Sequence, residues 1–465
     1  MRHFPFALLS CFCVFFPLTL AAQNDEAENY RQVIKYGTDA ELTKLIQTLK
    51  QEKNTNFDED LITMANSTKS VPVRQAVIVY FTQQEADSGA DVGKIAALTL
   101  DLLRKREGED AALVSAALDY TTQKGEADAV PVLRGIIESG EARFLPQALR
   151  AYGKVLKNAD TGEKEKGAEF LQTVYGEKSD NIEARRLALE AMGEGMLGSA
   201  APFLRQLITN ADENSILRVE ALNSAGKLGD ALGGDDLRGA VIGALGATEP
   251  LVRTAAVGAL GKFAGDEADA ALLDALRDSF FRTRLAAIKA LAERKNAGLA
   301  GARTLENLAG FLEFRARNDE AANVREEAVK TLGIYQTAEA DKALEAVYND
   351  KRAPEKIRLL AAETLIKNDG SRWTRKFMAD MDEAKKAKQK SLHAGLVKAL
   401  SAAKGSGVDD LAAALLAGDA LDQSYALDII GSNKLTRFRS QVEAIAGDTK
   451  NGLNKKAKST LEKIK

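Results

Sequence analysis

Hydrophobic and small residues recur along this chain at a spacing typical of amphipathic helices. In the clearest units a hydrophobic residue precedes an arginine, alanine follows three residues later, an apolar residue seven later, and often glycine next, as in Val252, Arg253, Ala256, Leu260 and Gly261. Positions 0, 3 and 7 share one side of a helix and predict a buried stripe. The arginine position, here called the ladder position, is occupied by Arg74, Arg185, Arg218, Arg253, Arg284, Arg325, Arg358, His393 and Gln423.

The spacing of these units predicts a repeat architecture. Arg74 and Gln423 are 349 residues apart (423 − 74), and two looser copies near Leu113 and Leu145 bring the units to eleven. Ten steps give a mean period of about 35 residues, which is typical of stacked helical hairpins. We therefore expect an all-α fold, a right-handed α-solenoid of about eleven to twelve helical hairpins that occupies residues 23–465.

The small residues of the pattern have a physical role. Alanine three residues after the ladder position has little side chain, so a neighbouring helix can approach to about 8 Å. Glycine eight residues after it suits a helix end, where a positive φ carries little steric cost. Each hairpin is then an incomplete core that its neighbours complete.

The V-R-x-x-A-x-x-A-L-G segments resemble HEAT repeats, especially the short bacterial type related to phycobilisome-lyase repeats. The resemblance is clear from residue 183 to 366 and weakens towards both ends. It implies that the arginine-bearing helix is the second of each hairpin and lines the concave face of the solenoid. It also implies that the arginines pair with acidic residues of the adjoining repeat, and that the protein binds other macromolecules, since catalysis is uncommon in this family.

The first 22 residues resemble an export signal. A short polar start is followed by an apolar run from Phe4 to Leu20 and by small residues at Ala21 and Ala22, where cleavage is expected. Retention as an anchor is the alternative, and a lipoprotein signal at Cys11 is disfavoured because most of the apolar run follows it. We expect an exported protein, periplasmic or secreted, in a bacterium. The remaining chain has no cysteine, which fits an oxidising compartment.

Composition and charge exclude several classes of function. The formal net charge is -3, so nothing favours binding to nucleic acid. After the signal, His393 is the single histidine and no cysteine remains, which excludes thiol nucleophiles and multi-histidine zinc sites. The glycine-rich stretch 229–234 lacks the lysine of a phosphate-binding loop, and we interpret it as a link between helices. We therefore expect no cofactor, no metal and no catalytic activity.

Two groups of residues are candidates for contact with a partner. One is the row of ladder arginines, Arg185, Arg218, Arg253, Arg284, Arg325 and Arg358, which form either a basic stripe for acidic groups or pairs between repeats. The other is a mix of aromatic residues and arginine in the C-terminal half, of the type that anchors interfaces. Its members are Phe281, Phe314, Arg315 and Trp373, with Phe280, Arg282 and Phe311 nearby. The alternative is that these side chains fill gaps between irregular repeats.

These observations lead to one main hypothesis and two alternatives. The main hypothesis is an exported HEAT-repeat scaffold that binds a protein or peptide partner on its concave face. One alternative, which the lyase resemblance implies, is a lyase-like enzyme or chaperone that acts on a tetrapyrrole-bearing partner. The other is an envelope structural protein that associates with itself.

Overall fold

The computed structural model describes residues 17–84, 92–124, 127–299 and 302–465. Within these ranges the chain forms 25 α-helices and five short 3₁₀ helices and contains no β-strand, so the predicted all-α fold is confirmed. The chain divides into two compact units, one extending to Ala200 and the other running from Ala201 to Lys465. Most of the predicted signal, residues 1–16, lies outside the described residues.

The helices of the first unit are α1 (Pro17–Tyr36), α2 (Asp39–Glu52), α3 (Asp58–Ser67), α4 (Val71–Thr82), α5 (Val92–Arg104), α6 (Ala111–Lys124), α7 (Val130–Ser139), α8 (Leu145–Lys157), α9 (Thr161–Glu177) and α10 (Ile182–Glu194). They pair in chain order, so that α3 packs on α4, α5 on α6 and α7 on α8. The second helix of each hairpin also contacts the second helix of the next, from α2 to α10. This is the expected packing of stacked hairpins.

The helices of the second unit are α11 (Ala201–Thr209), α12 (Ser215–Gly243), α13 (Pro250–Leu260), α14 (Asp266–Ala275), α15 (Phe281–Asn296), α16 (Ala302–Asn318), α17 (Ala322–Tyr335), α18 (Ala338–Asn349), α19 (Glu355–Asn368), α20 (Gly370–Lys386), α21 (Lys390–Leu400), α22 (Val408–Leu416), α23 (Ala420–Ser432), α24 (Arg439–Gly447) and α25 (Asn454–Lys463). The second helices again stack on one another, through α13, α15, α17, α19 and α21.

Helix α12 consists of two helical segments, because two glycines within its bounds have non-helical backbone angles. Gly229 has φ 57° and ψ −160°, and Gly234 has φ 64° and ψ −172°. Both values are unfavourable for residues with a side chain. The glycine-rich stretch therefore links two helical segments, as predicted, and the first segment pairs with α11 while α13 follows the second.

The small residues of the repeat permit close helix contacts, although glycine does so in an unexpected way. Ala221 and Ala256, three residues after their ladder arginines, are fully buried. Gly226 has no positive φ and is not the end of its helix, contrary to our expectation. A Cβ atom at this position would lie 2.9 Å from the Cα atom of Ala259 on α13. Glycine at position 226 is thus required by helix packing and not by a turn, whereas Gly261 does lie at the end of α13.

A buried ion pair outside the repeat pattern joins the two helices of one hairpin in the second unit, and its arginine also reaches the preceding hairpin. The Arg294 side chain on α15 and the Asp269 side chain on α14 are 0% and 1% exposed. The guanidinium donates hydrogen bonds to Asp269 Oδ1, with Nε at 2.7 Å and Nη2 at 2.6 Å. It also donates to the backbone carbonyls of Leu260, Phe263 and Leu299. A single side chain therefore binds carbonyls that follow α13 and α15, as well as a carboxylate on α14.

Candidate partner-binding surface

The ladder arginines lie in the first turn of the second helices, and their guanidinium groups are used inside the fold. Arg253 donates two hydrogen bonds to the Asp278 carboxylate, at 2.7 and 3.0 Å. It donates two more to the carbonyls of Ala247 and Thr248, each at 3.0 Å. Burial alone would raise the pKa of Asp278, but the hydrogen bonds from Arg253 and from the Phe280 N–H hold that pKa below its usual range. Arg253 therefore joins one hairpin to the loop of the next.

Arg284 repeats this arrangement in a more buried setting. Its Nε and Nη2 atoms lie 2.7 and 2.8 Å from the two oxygens of Asp319. It also donates to the carbonyls of Asp278 and Ser279, at 2.9 and 3.1 Å. A bidentate arginine–carboxylate pair of this kind is among the stronger polar contacts in proteins.

The other ladder arginines are engaged in related ways. Arg218 donates to Glu249 at 3.4 Å, and Arg358 donates to the carbonyl of Tyr348 at 2.8 Å. Arg325 donates to the carbonyl of Asp319. In the first unit, Arg185 stacks at 4.1 Å on the ring of Tyr175. The geometry therefore favours a structural role for the ladder, with pairing between repeats at Arg218, Arg253 and Arg284.

Several of the aromatic candidates come together with arginines where hairpins of the second unit turn. The rings of Phe280 and Phe281 meet edge to face at 5.5 Å. The guanidinium of Arg282 lies 5.9 Å from each ring centroid. Arg282 is exposed and forms no ion pair with a carboxylate in the described ranges. Its hydrogen-bond donors are therefore available to an acidic group outside the chain.

The neighbouring helix α16 contributes the second half of this group. Phe314 is 55% exposed, and the Arg315 guanidinium lies 5.1 Å from its ring centroid. Arg315 also pairs with Asp319 at 3.3 Å. Because Asp319 is the carboxylate that binds Arg284, it connects the end of α16 to the start of α15. We call this group the Phe–Arg cluster and define it as Phe280, Phe281, Arg282, Phe311, Phe314 and Arg315.

Trp373 does not belong to the Phe–Arg cluster. Its position near Arg372 and Arg375 suggests an exposed side chain, but the structure shows that it is buried. The side chain is 4% exposed, and its ring packs 6.0 Å from that of Phe377. Phe377 in turn meets Tyr348 edge to face at 4.9 Å. Trp373 therefore fills the core between α18 and α20, because helix α20 places it on its apolar face while Arg372 stays outside.

Two exposed apolar residues extend the Phe–Arg cluster along the second helices, and sequence analysis missed them. Ile216 and Leu251 are 52% and 58% exposed, and each lies two positions before a ladder arginine, at the start of α12 and of α13. Arg282 occupies the same place on α15. A hydrogen bond of 2.9 Å between Thr254 and Thr283 shows how closely α13 and α15 approach at this end. We call Ile216, Leu251 and Arg282 the edge row.

The described residues contain no group of three or more His, Cys, Asp and Glu side chains placed to hold a metal ion. His393 lies 3.7 Å from a carboxylate oxygen of Asp422. In the described ranges, every helix also falls short of the length and apolar character that a membrane crossing requires.

Comparison with known proteins agrees with this arrangement of hairpins. Residues 34–460 match the family model described as Spirochaete HEAT repeat protein, while no curated protein matches the chain. Among solved structures, Kap121p is similar with a TM-score of 0.51 and 11% identity, over 96% of this chain and 55% of that one. Kap121p bound to Pho4p gives a TM-score of 0.50 and 11% identity, over 94% of this chain and 53% of that one.

The chain thus spans about half the length of the Kap121p chains that it matches. At this identity the similarity shows the fold alone, whereas the family model covers most of the chain. The predicted HEAT resemblance and α-solenoid fold are confirmed. The chain belongs to the Spirochaete HEAT repeat protein family.

Proposed function

We propose that this protein is a non-catalytic scaffold that binds a protein or peptide partner through the Phe–Arg cluster and the edge row. The observation that carries the proposal is the exposure of one aromatic and one arginine side chain of this surface. Phe314 exposes more than half of its surface, and the exposed guanidinium of Arg282 lies beside the rings of Phe280 and Phe281 without an ion pair to any described carboxylate. Exposed aromatic residues beside arginine are typical of the residues that dominate binding energy at interfaces.

The ladder arginines are proposed to stabilise the fold, and the exposed residues beside them to contact the partner. Because the ladder guanidinium groups are bound to carboxylates and carbonyls, contact with a partner falls to the side chains beside them. The edge row lies at the starts of the second helices, and in HEAT repeats these helices line the concave face. The partner is therefore proposed to lie on this face in the second unit and to reach the Phe–Arg cluster at its border.

A structural neighbour offers an analogy for this role. Kap121p, which shares the fold, has been solved bound to Nup53p and bound to Pho4p. Solenoids of stacked hairpins provide long surfaces of this kind, since each repeat adds a similar strip. The analogy concerns the type of surface, and the partner of the present chain is to be identified by experiment.

Affinity capture with paired variants tests this proposal. The full chain and its Arg282→Glu/Phe314→Ala variant are used as baits in extracts of the native cell, and captured proteins are quantified by mass spectrometry. Loss of the two anchor residues is expected to weaken binding of the specific partner by about 2 kcal/mol or more, which corresponds to about 30-fold in affinity.

The matched control is Lys404→Glu/Tyr36→Ala. It also removes one exposed cation and one exposed ring, that of Tyr36, which is 72% exposed. Both residues are far in sequence from the Phe–Arg cluster. The control is expected to retain the partner. Equal capture by all three baits would contradict the proposed surface.

We also propose that the protein is exported and that residues 1–22 are removed. The support is the polar start, apolar run and small residues of this segment. Mass spectrometry of the N-terminal peptide from the extracytoplasmic fraction is expected to give Gln23 as the first residue. Recovery of peptides from residues 1–20 in the mature protein would contradict cleavage.

A further inference from the structure

The edge row changes character over three consecutive second helices. It is apolar at Ile216 on α12 and at Leu251 on α13, and both side chains are more than half exposed. It is cationic at Arg282 on α15, and the equivalent residue on α17 is the polar Asn323. The row therefore offers two apolar contacts and then one charged contact.

The spacing of these contacts is set by close packing of the second helices. A Cβ atom at Gly226 on α12 would lie 2.9 Å from the Cα atom of Ala259 on α13. At the next step, a Cβ atom at Gly261 would lie 3.3 Å from the Cβ atom of Ala290 on α15. Contacts this close place neighbouring helix axes about 8–10 Å apart. A partner that follows the row must therefore repeat its own contacts at about this distance.

Few backbone conformations repeat at this distance. A polyproline II helix has about three residues per turn and rises about 3.1 Å per residue, so every third side chain faces the same way at intervals of about 9 Å. A β-strand presents every second side chain on one face, at intervals of about 7 Å. An α-helix returns to one face every seven residues or so, at intervals of about 10 Å. Distance therefore disfavours a strand and leaves the two kinds of helix.

The aromatic rings at the cationic end of the row favour the polyproline II conformation. Phe280 and Phe281 directly precede Arg282, and their half-buried rings meet edge to face. Phe314 on α16 is more than half exposed. Proline-rich segments bind aromatic surfaces of this kind, and they lose little conformational entropy because the polyproline II helix is formed before binding.

Arg282 determines the charge of the partner at this end. The carboxylates of the adjoining loops are already bound within the fold, Asp278 by Arg253 and Asp319 by Arg284. Arg282 is exposed and pairs with no described carboxylate. A carboxylate on the partner can therefore accept two parallel hydrogen bonds from its guanidinium.

We propose that the partner presents a proline-rich segment in the polyproline II conformation, an inference that rests on the partner surface proposed above. Two apolar side chains, three residues apart, lie over Ile216 and Leu251. An acidic side chain lies three residues further on and binds Arg282. The prolines beside this acidic residue pack on the rings of the Phe–Arg cluster.

Fluorescence anisotropy with labelled synthetic peptides tests the segment. The peptides PPLPPLPPEPP and PPEPPLPPLPP carry the required spacing in the two possible chain directions, and one of them is expected to bind the full chain. PPLLPPPPEPP has the same composition but adjacent leucines. It is expected to bind about tenfold more weakly or not at all, because a single leucine can then reach its contact. Tighter binding by an alanine-rich helical peptide with leucines seven residues apart would overturn the polyproline II assignment.

Paired variants of the chain place the apolar contacts. Ile216→Ser/Leu251→Ser is expected to weaken binding by about tenfold or more, since both apolar anchors are lost. The control is Leu421→Ser on α23, because Leu421 is 46% exposed and also lies two positions before a ladder residue. It is expected to bind like the unaltered chain, and circular dichroism checks that the variants fold. Equal binding by the double variant would overturn the placement.

A charge exchange tests the contact at Arg282. Arg282→Glu is expected to lose binding of the glutamate peptide and to bind the same peptide with lysine in place of glutamate more tightly than the unaltered chain does. Failure of both glutamate peptides to bind, or absence of this exchange, would overturn the proposed segment. Such a result would leave the partner surface standing, because affinity capture tests that surface with the native partner.

Discussion

Replacement of Arg294 by alanine is expected to lower the free energy of unfolding by about 3–5 kcal/mol, because it removes the guanidinium that pairs with the buried Asp269 carboxylate. The side chains of the pair are 0% and 1% exposed. The carbonyls of Leu260 and Leu299 also lose a donor. Unmade hydrogen bonds to buried carbonyls add to the cost.

Urea unfolding followed by circular dichroism measures this effect. The matched control is Arg205→Ala, which breaks an arginine–aspartate pair with Asp236 at 3.3 Å on the surface. An exposed pair contributes about 0–1 kcal/mol, so the two variants should differ clearly. Arg294→Met combined with Asp269→Ala is expected to recover part of the loss, since no charge then remains buried. A loss below that of Arg205→Ala would contradict the structural role of Arg294.

Replacement of Asp319 by alanine is expected to have an effect of similar size, about 3–5 kcal/mol, because the buried Arg284 loses its bidentate partner and keeps the exposed Glu320, at 3.2 Å, as its carboxylate contact. Asp319 has a fully buried side chain, and it also accepts a hydrogen bond from the N–H of Ala321 at 3.0 Å. The variant therefore loses a connection between α15 and the loop before α17. Asp236→Ala, the surface counterpart, is expected to change stability by no more than about 1 kcal/mol.

The same residue gives a pH dependence with a defined sign. Burial alone would raise the pKa of Asp319, but the hydrogen bonds from Arg284 and from Ala321 hold that pKa below its usual value. A group whose pKa is lowered by folding stabilises the folded state above its unfolded pKa, and this contribution is lost as the pH falls through the folded pKa. The unaltered chain is thus expected to lose more stability between pH 6 and strongly acidic pH than Asp319→Ala does. Parallel curves for the two proteins would contradict this assignment.

The sequence was sufficient to predict the fold because the repeat has a strong physical signature. Alanine three residues after the ladder position and hydrophobic residues at helical spacing have few uses other than helix packing. Burial of Ala221 and Ala256 followed from this pattern. The pairing of arginine with the adjoining repeat was implied by the HEAT resemblance, and Arg253 and Arg284 show it in full.

Features that depend on a particular neighbour could not be predicted in this way. Arg294 lies outside the ladder, and nothing in its local sequence distinguishes it from an exposed arginine at a helix end. Trp373 is flanked by charged residues, and only the packing of α20 reveals that it is buried. Ile216 and Leu251 did carry a signal, since they are apolar at a repeat position where Asn323 and Lys356 are polar.

Photo-crosslinking in the native cell tests the proposed binding surface most directly. A photoreactive amino acid is placed at position 251, 314 or, as the exposed control, at Tyr36. If the edge row and the Phe–Arg cluster bind a partner, positions 251 and 314 should crosslink to the same protein, and position 36 should not. Crosslinks to that protein from position 36 alone, or none from 251 and 314, would contradict the proposed surface.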